Sequence, residues 1–118
     1  MRLESFKYLH DVSQAAGAVA EFCAGETYER YLGNVLLRSA VERQIGIAGT
    51  ALAQLRRIDP DTFSRIPDAA QIASVGDTLI VGYANDNTGL VWRAVSEDLL
   101  SLRVVIQQLL DEKMTTRP

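Results

Sequence analysis

The sequence predicts an all-α protein, an up-down bundle of four main helices joined by short helical turns. Apolar residues recur three and four positions apart over most of the 118-residue chain. Strand-like character is confined to TLIVGY at 78–83, which has helical segments on both sides and no partner strand. We therefore expect a single helical domain over residues 1–113 and a flexible C-terminal tail over residues 114–118.

The first helix is predicted over Leu3–Ala24. Its apolar positions fall on one face, and Gly25 ends it in the manner of a C-terminal glycine. The next segment, TYERYL at 27–32, is typical of a short helical turn in which Thr27 is available as the N-cap.

The second main helix is predicted from about Gly33 or Asn34 to Ile58, where an Asp-Pro pair stops it. Its apolar arc is wide, as expected of a central helix with several neighbours. Gly46 and Gly49 lie inside this helix, and each costs about 1 kcal/mol relative to alanine. We expect both glycines to allow close packing of another backbone.

A connector over Pro60–Asp68, with one possible helical turn, separates the second main helix from the third. Asp68 is available as an N-cap for the third helix, which is predicted to run through Tyr83 or Ala84. This helix contains SVGDTLIVGYAN at 74–85, and we expect its polar positions to face a cleft.

A turn is predicted at residues 85–89, followed by the last main helix from Thr88 to about Asp111. The run Ser96-Glu97-Asp98 interrupts the apolar pattern there and predicts a kink or a second cap.

Composition excludes several classes of protein. A net charge of −3 disfavours a protein that binds phosphate backbones as its main activity, although ten of the twelve cations are arginine and a local basic groove stays possible. Apolar runs are too short for a membrane-spanning helix, and the single cysteine, Cys23, predicts a small buried hydrophobe and no internal disulfide. We expect a cytoplasmic protein without a cofactor.

Conventional catalytic constellations are missing from the sequence. The one histidine, His10, has no neighbours at metal-ligand spacing and is predicted to be a surface or boundary residue. No phosphate-binding loop or Ser/His/Asp arrangement is present. On the residues alone, Tyr83 predicts a boundary tyrosine with a wet hydroxyl, and Asp77 an exposed polar residue.

The order of several short segments resembles that of a known family. The segments are YLHDV at 8–12, AVERQIGIAGTAL at 40–52, SRIP at 64–67, GDTLIVGYAND at 76–86, VWRAV at 91–95 and DLLSL at 98–102. Together they resemble the HepT-like proteins, small α-helical members of the HEPN superfamily. The resemblance covers nearly the whole chain.

The resemblance implies a metal-independent ribonuclease site built from an Arg-Asn pair and a histidine of two protomers. In this sequence the Arg position is Gly76, the Asn position is Asp77 and the His position is Val81, whereas the family's tyrosine is retained as Tyr83. Arg stabilises phosphate charge and His moves protons, so their loss predicts inactivity. GTA at 49–51 is a further departure, where relatives more often carry Gly-Glu-Ala, whereas Arg43 fits the family pattern.

The resemblance also implies a homodimer paired with an MntA-type nucleotidyltransferase in a toxin–antitoxin module, with Tyr83 as the acceptor of AMP. We expect an interaction subunit whose ribonuclease activity is lost, with RNA possible but disfavoured as a ligand. Two alternatives stay open. One is an active RNA endonuclease with a displaced site, for which Arg38 and Arg43 are candidates, and the other is a purely structural bundle.

Overall fold

The computed structural model describes residues 1–81 and 88–116, and every regular element in those ranges is helical. The α-helices are α1 (Leu3–Cys23), α2 (Tyr28–Leu32), α3 (Val35–Ile58), α4 (Pro60–Ser64), α5 (Ala69–Val81), α6 (Thr88–Arg93) and α7 (Leu99–Thr116). A π-helical turn over Ala94–Asp98 joins α6 to α7. The all-α prediction is confirmed.

Helix α3 is the centre of the fold, since it packs along α1 on one side and α5 on the other. Helix α7 packs against α1 and completes the core. The fully buried large side chains come from these helices and from α2: Leu9, Val12, Val19, Tyr31, Val41, Ile45, Leu52, Leu55, Ile72, Leu102, Ile106 and Leu109. The wide apolar arc predicted for the second main helix follows from its contact with two neighbours.

Most helices end at or near the predicted residues, where a glycine or a side chain satisfies the terminal backbone groups. Gly25 follows α1 with a φ of 76°, and the Asn34 side chain accepts a hydrogen bond of 3.0 Å from the Leu37 amide at the start of α3. Asp68 differs from the prediction of a simple N-cap. It has a φ of 61°, and its carboxylate accepts a hydrogen bond of 3.2 Å from Ser101 of α7.

One carboxylate joins three helices. Asp59 ends α3, and its side chain accepts hydrogen bonds of 2.7 Å from the buried Ser5 hydroxyl of α1 and 2.7 Å from the Thr62 hydroxyl of α4. It also accepts from the Thr62 amide at 3.2 Å. Burial by itself raises the pKa of Asp59, but these hydrogen bonds outweigh burial and lower the pKa below its ordinary value.

The interruption predicted at residues 96–98 is the π-helical turn. Buried residues before it are Val91 and Ala94, and the next buried residue, Leu99, follows five positions after Ala94. An α-helix would turn such a residue away from the core, whereas an i→i+5 turn returns it to the same face. Helix α7 then continues to Thr116, past the predicted end near Asp111, and the expected flexibility of residues 114–118 stays a prediction.

Candidate functional site

Gly76 lies at a close crossing of α5 and α3. A Cβ placed on Gly76 would lie 3.0 Å from the Gly49 Cα and 3.3 Å from the Ile45 carbonyl oxygen. A Cβ on Gly49 would lie 2.9 Å from the Gly76 Cα and 3.2 Å from the Ile72 oxygen. A Cβ on Gly49 would collide with the α5 backbone, and a Cβ on Gly76 would require the α3 backbone to move by a few tenths of an ångström, so the two glycines together allow this close packing.

The α3–α5 crossing tests the prediction of close backbone packing at Gly46 and Gly49. Close packing at Gly49 is confirmed, but the same prediction for Gly46 is wrong. Among the described residues beyond its own helix, no heavy atom lies within 4 Å of where a Gly46 Cβ would be. Sequence alone shows two glycines one turn apart, and the choice between them depends on which face α5 covers.

The other motif positions are only partly described. Asp77 is exposed on α5, in agreement with its polar character, and Val81 is the last residue of α5. The Val81 side chain and Tyr83 lie outside the described part of the molecule. Gly76 faces the backbone of α3, and the expectation that the polar positions of this segment face a cleft stays a prediction.

An open groove runs along the outer side of α3. Its volume is about 650 Å³, and Lys7, Tyr8, Asp11, Ser39, Glu42, Arg43, Gly46, Ile47, Thr50, Ala51, Gln54 and Leu79 line it. Gly46 is part of this lining, and because it has no side chain the groove stays open at that position. Residues of α1, α3 and α5 therefore meet in one concave surface, and Leu79 of the motif segment is part of its lining.

The charges of this α3 groove are mixed. Lys7 pairs with Asp11 at 3.5 Å, and its Nζ lies 5.2 Å from the centroid of the Tyr8 ring. Glu42 and Arg43 are adjacent on α3. Within the described residues, the Arg43 guanidinium has no hydrogen-bond or ion-pair partner in the protein, so it is available to an anionic ligand.

The two alternative arginines differ in availability. Arg38 donates hydrogen bonds to the carbonyl oxygens of Leu32 and Tyr31 at the end of α2, so it acts as a structural cap. Arg43 has no such contact and faces the groove. Only Arg43 of this pair has the position expected of a ligand-binding side chain.

The only histidine is not in the groove. His10 is exposed on α1 and its Nε2 lies 3.5 Å from the Gln14 side-chain nitrogen. The prediction of a surface residue is confirmed. Cys23, predicted to be buried, is half-buried against the core, and burial raises the pKa of its thiol. In the ranges that the structure describes, no group of three or more His, Cys, Asp and Glu side chains is placed to hold a metal ion.

A family comparison decides where this bundle belongs. The model of the family described as ribonuclease HepT-like matches residues 12–109. The chain belongs to the ribonuclease HepT-like family. The match includes the α3–α5 crossing and the motif segment, and it confirms the resemblance seen in the sequence.

Two HepT-like relatives show how the match extends. A Thermococcus cleftensis protein named "Probable ribonuclease HepT" is 29% identical over 105 residues, covering 86% of this chain and 92% of the relative. A Methanocaldococcus jannaschii protein named "Gamma-glutamylcyclotransferase and putative RNase" is 27% identical over 112 residues, covering 95% of this chain. The chain spans half the length of the M. jannaschii protein. No solved structure matches.

The described helices include none that is both long and apolar enough to cross a membrane.

Proposed function

We propose that this HepT-like chain is a homodimeric interaction subunit without ribonuclease activity, paired in the cytoplasm with an MntA-type nucleotidyltransferase in a toxin–antitoxin module. The main support for the proposed inactivity is the close contact between Gly76 of α5 and the backbone of α3. The position assigned to the catalytic arginine is Gly76, which packs against the backbone of α3, and the position assigned to the histidine is Val81.

The chemistry of RNA cleavage explains why this matters. A metal-independent ribonuclease needs a group that moves a proton and a cation that stabilises the phosphate in the transition state. Removing the proton-transfer group alone typically lowers the rate by about 10²- to 10⁴-fold. Arg43 supplies a cation in the α3 groove, but the only histidine of the chain, His10, does not line that groove.

Cleavage of a labelled RNA in chelator tests the inactivity. We expect the purified chain to cut no faster than a buffer control. A rate well above that control, retained after repurification, would contradict the proposal.

The second candidate is an active endonuclease with a displaced site, and Arg43 favours it, since it lines the α3 groove and has no partner in the described part of the protein. Here Arg43→Ala would abolish cleavage, whereas Arg57→Ala would not. Arg57 is a matched control because it is exposed on the same helix, bonds Gln54 and does not line the groove. Equal loss in both variants would argue against a site at Arg43.

The proposed homodimer is supported by exposed apolar surface on α3. Leu36 is 82% exposed and Val35 is 66% exposed, which is costly for large aliphatic residues of a monomer. Light scattering is expected to give twice the chain mass of 13.0 kDa, and Leu36→Asp is expected to shift the protein toward the monomer. A wild-type protein that is monomeric at micromolar concentration would remove this part of the proposal.

The proposed partner is tested through Tyr83. Adenylylation would join the α-phosphorus of ATP to the Tyr83 oxygen, with loss of the phenol proton and release of pyrophosphate. Incubation with an MntA-type nucleotidyltransferase and ATP is expected to add one adenylyl group, detected by intact mass. Tyr83→Phe should prevent the addition, whereas Tyr8→Phe should not. Modification that persists in Tyr83→Phe would assign the acceptor elsewhere.

A further inference from the structure

Helices α2 and α6 meet through three aromatic rings. The Trp92 ring of α6 contacts Tyr31 with centroids 5.0 Å apart and Tyr28 with centroids 6.0 Å apart. The planes are tilted by 42° and 43°, in the range of favourable aromatic pairs. The two tyrosines belong to the same short helix, so the indole is held against α2 by both.

The three rings differ in their access to solvent. Tyr31 is fully buried, Trp92 is partly buried against the core, and Tyr28 is 41% exposed. Tyr31 therefore anchors the indole from the inside, and Tyr28 and Trp92 present ring surface to the outside.

A cavity of about 380 Å³ opens beside these two outer rings. We call it the aromatic pocket, and it is lined by Tyr28, Gly89, Trp92, Arg93, Ser96 and Glu97. Its volume lies within the range of small-molecule sites. Gly89 lies at its edge, where a Cβ would be 3.7 Å from the Tyr28 hydroxyl oxygen, so a larger side chain at this position would extend into the pocket.

The polar groups of the aromatic pocket lie at its edge. Arg93 and Glu97 form an ion pair of 3.1 Å, and the Ser96 hydroxyl donates to the Trp92 carbonyl oxygen at 2.8 Å. Among residues 1–81 and 88–116, neither the Trp92 indole N–H nor the Tyr28 hydroxyl has a hydrogen-bond partner. Exposed aromatic faces thus lie next to a donor and an acceptor that a ligand could use.

We propose that the aromatic pocket binds a nucleobase, stacked on Tyr28 and Trp92. A base has two apolar faces and an edge of donors and acceptors, which matches rings beside Arg93 and Glu97. The paired charges cancel, so the site recognises the base more than the phosphate. The choice of a nucleobase rests on the two outer rings and the polar groups at their edge, and it does not require ribonuclease activity.

The same base could come from a free nucleotide or from single-stranded RNA. In an RNA, neighbouring nucleotides would add contacts outside the pocket and increase the affinity. In a free nucleotide, one base would account for all of the binding. The two sources therefore differ in the ratio of their affinities.

Trp92 provides the measurement, since it is the only tryptophan of the chain. We would titrate the full chain with AMP, with ribose 5-phosphate and with a short oligo(A), and follow tryptophan fluorescence. Saturable quenching by AMP and by the oligonucleotide is expected, with no effect of ribose 5-phosphate. Because Arg93 is neutralised by Glu97, AMP binding should change little with salt.

Variants assign the quenching to the pocket. Stacking on one aromatic ring is worth enough that Tyr28→Ala should weaken binding by about ten-fold, whereas Tyr28→Phe should retain it. Gly89→Leu fills the pocket while Trp92 remains as the reporter. The matched control is Phe22→Ala, which removes a ring that is 40% exposed and does not line the pocket.

The outcomes separate this inference from the proposed function. Oligonucleotide binding at least about ten-fold tighter than AMP, lost in Gly89→Leu, identifies single-stranded RNA as the source. Equal affinities identify a free nucleotide. No saturable quenching, or quenching unchanged in Gly89→Leu, overturns the aromatic pocket whatever the cleavage and dimer experiments give. Conversely, RNA cleavage in chelator would overturn the proposed inactivity and leave the quenching result intact.

Discussion

The Gly49 Cα and the Gly76 Cα approach so closely that a methyl group on Gly49 would lie 2.9 Å from the Gly76 Cα. The contact fixes the distance between α3 and α5 at the segment where the family carries its catalytic motif. Residues on both sides of the crossing, including Ile45 and Ile72, depend on this distance for their burial.

Alanine substitutions in α3 should therefore have opposite effects at its two glycines. Gly49→Ala is expected to lower the free energy of unfolding by about 1–3 kcal/mol, because a Cβ there collides with backbone. Gly46→Ala is expected to raise it by about 0.5–1 kcal/mol, because the site is open and alanine favours the helix. Urea denaturation of both variants checks this, and equal changes would mean that the crossing does not distinguish them.

Restoring the family motif at Gly76 should fail for a structural reason. Gly76→Arg is expected to destabilise the protein by more than Gly76→Ala, because a Cβ here already lies 3.0 Å from the Gly49 Cα and a longer side chain would require a larger shift of the α3 backbone. We expect no gain of RNA cleavage in the combined Gly76→Arg, Asp77→Asn and Val81→His variant. A folded variant with wild-type thermal stability that cuts RNA would show that α3 and α5 separate at little cost.

Two aspartates should give opposite pH dependences of stability. The pKa of Asp59 is lowered below its ordinary 3.8 in the folded state. Its stabilisation is therefore present above that value and is lost as pH falls through the lower folded pKa. Asp59→Asn should cost about 1 kcal/mol at pH 7, because it replaces an oxygen that accepts from Ser5 and Thr62, and the cost should shrink at acid pH. Melting temperatures at pH 7 and pH 3 test this.

Asp98 should behave in the opposite way. Burial, followed by the nearby negative charge of Asp68, raises its pKa above 3.8. The charged form is thus disfavoured in the folded state, and stability is gained as pH falls through the raised pKa. Asp98→Asn is expected to melt at a higher temperature than the wild type at pH 7, with a smaller difference at pH 3. Glu97→Gln, a change in an exposed pair, is the control and should have little effect.

The Tyr31 hydroxyl is a buried group without a hydrogen-bond partner among the described residues. Burial raises the pKa of this phenol further above its usual range, so it stays neutral. Tyr31→Phe removes an unsatisfied group and keeps the ring on Trp92, and it should stabilise the protein by about 1 kcal/mol. A loss of stability by urea denaturation would mean that the hydroxyl has a partner in solution.

Sequence periodicity predicted the helices because their apolar faces are set by local spacing. A capping residue acts within three or four positions, so the cap at Thr27 was also predicted, and the Thr27 hydroxyl oxygen accepts a hydrogen bond from the Arg30 amide at the start of α2. The pairing of Gly49 with Gly76 and the α3 groove depend on contacts between distant segments. For that reason close packing was predicted at Gly46 as well, where the structure is open. A kink or a second cap was predicted at residues 96–98. That the interruption is a π-helical turn could not be predicted, because it depends on which residues of α6 and α7 pack against the core.

The π-helical turn contains one residue more than an α-helix would need between the buried residues on its two sides. Deletions within a helix normally rotate everything beyond them by about 100° and expose the core. Here removal of the exposed Ser96 would place Ala94 and Leu99 four positions apart, the ordinary spacing of one helical face. The join between α6 and α7 is thus a place where the length of the chain can change by one residue while the core keeps its alignment.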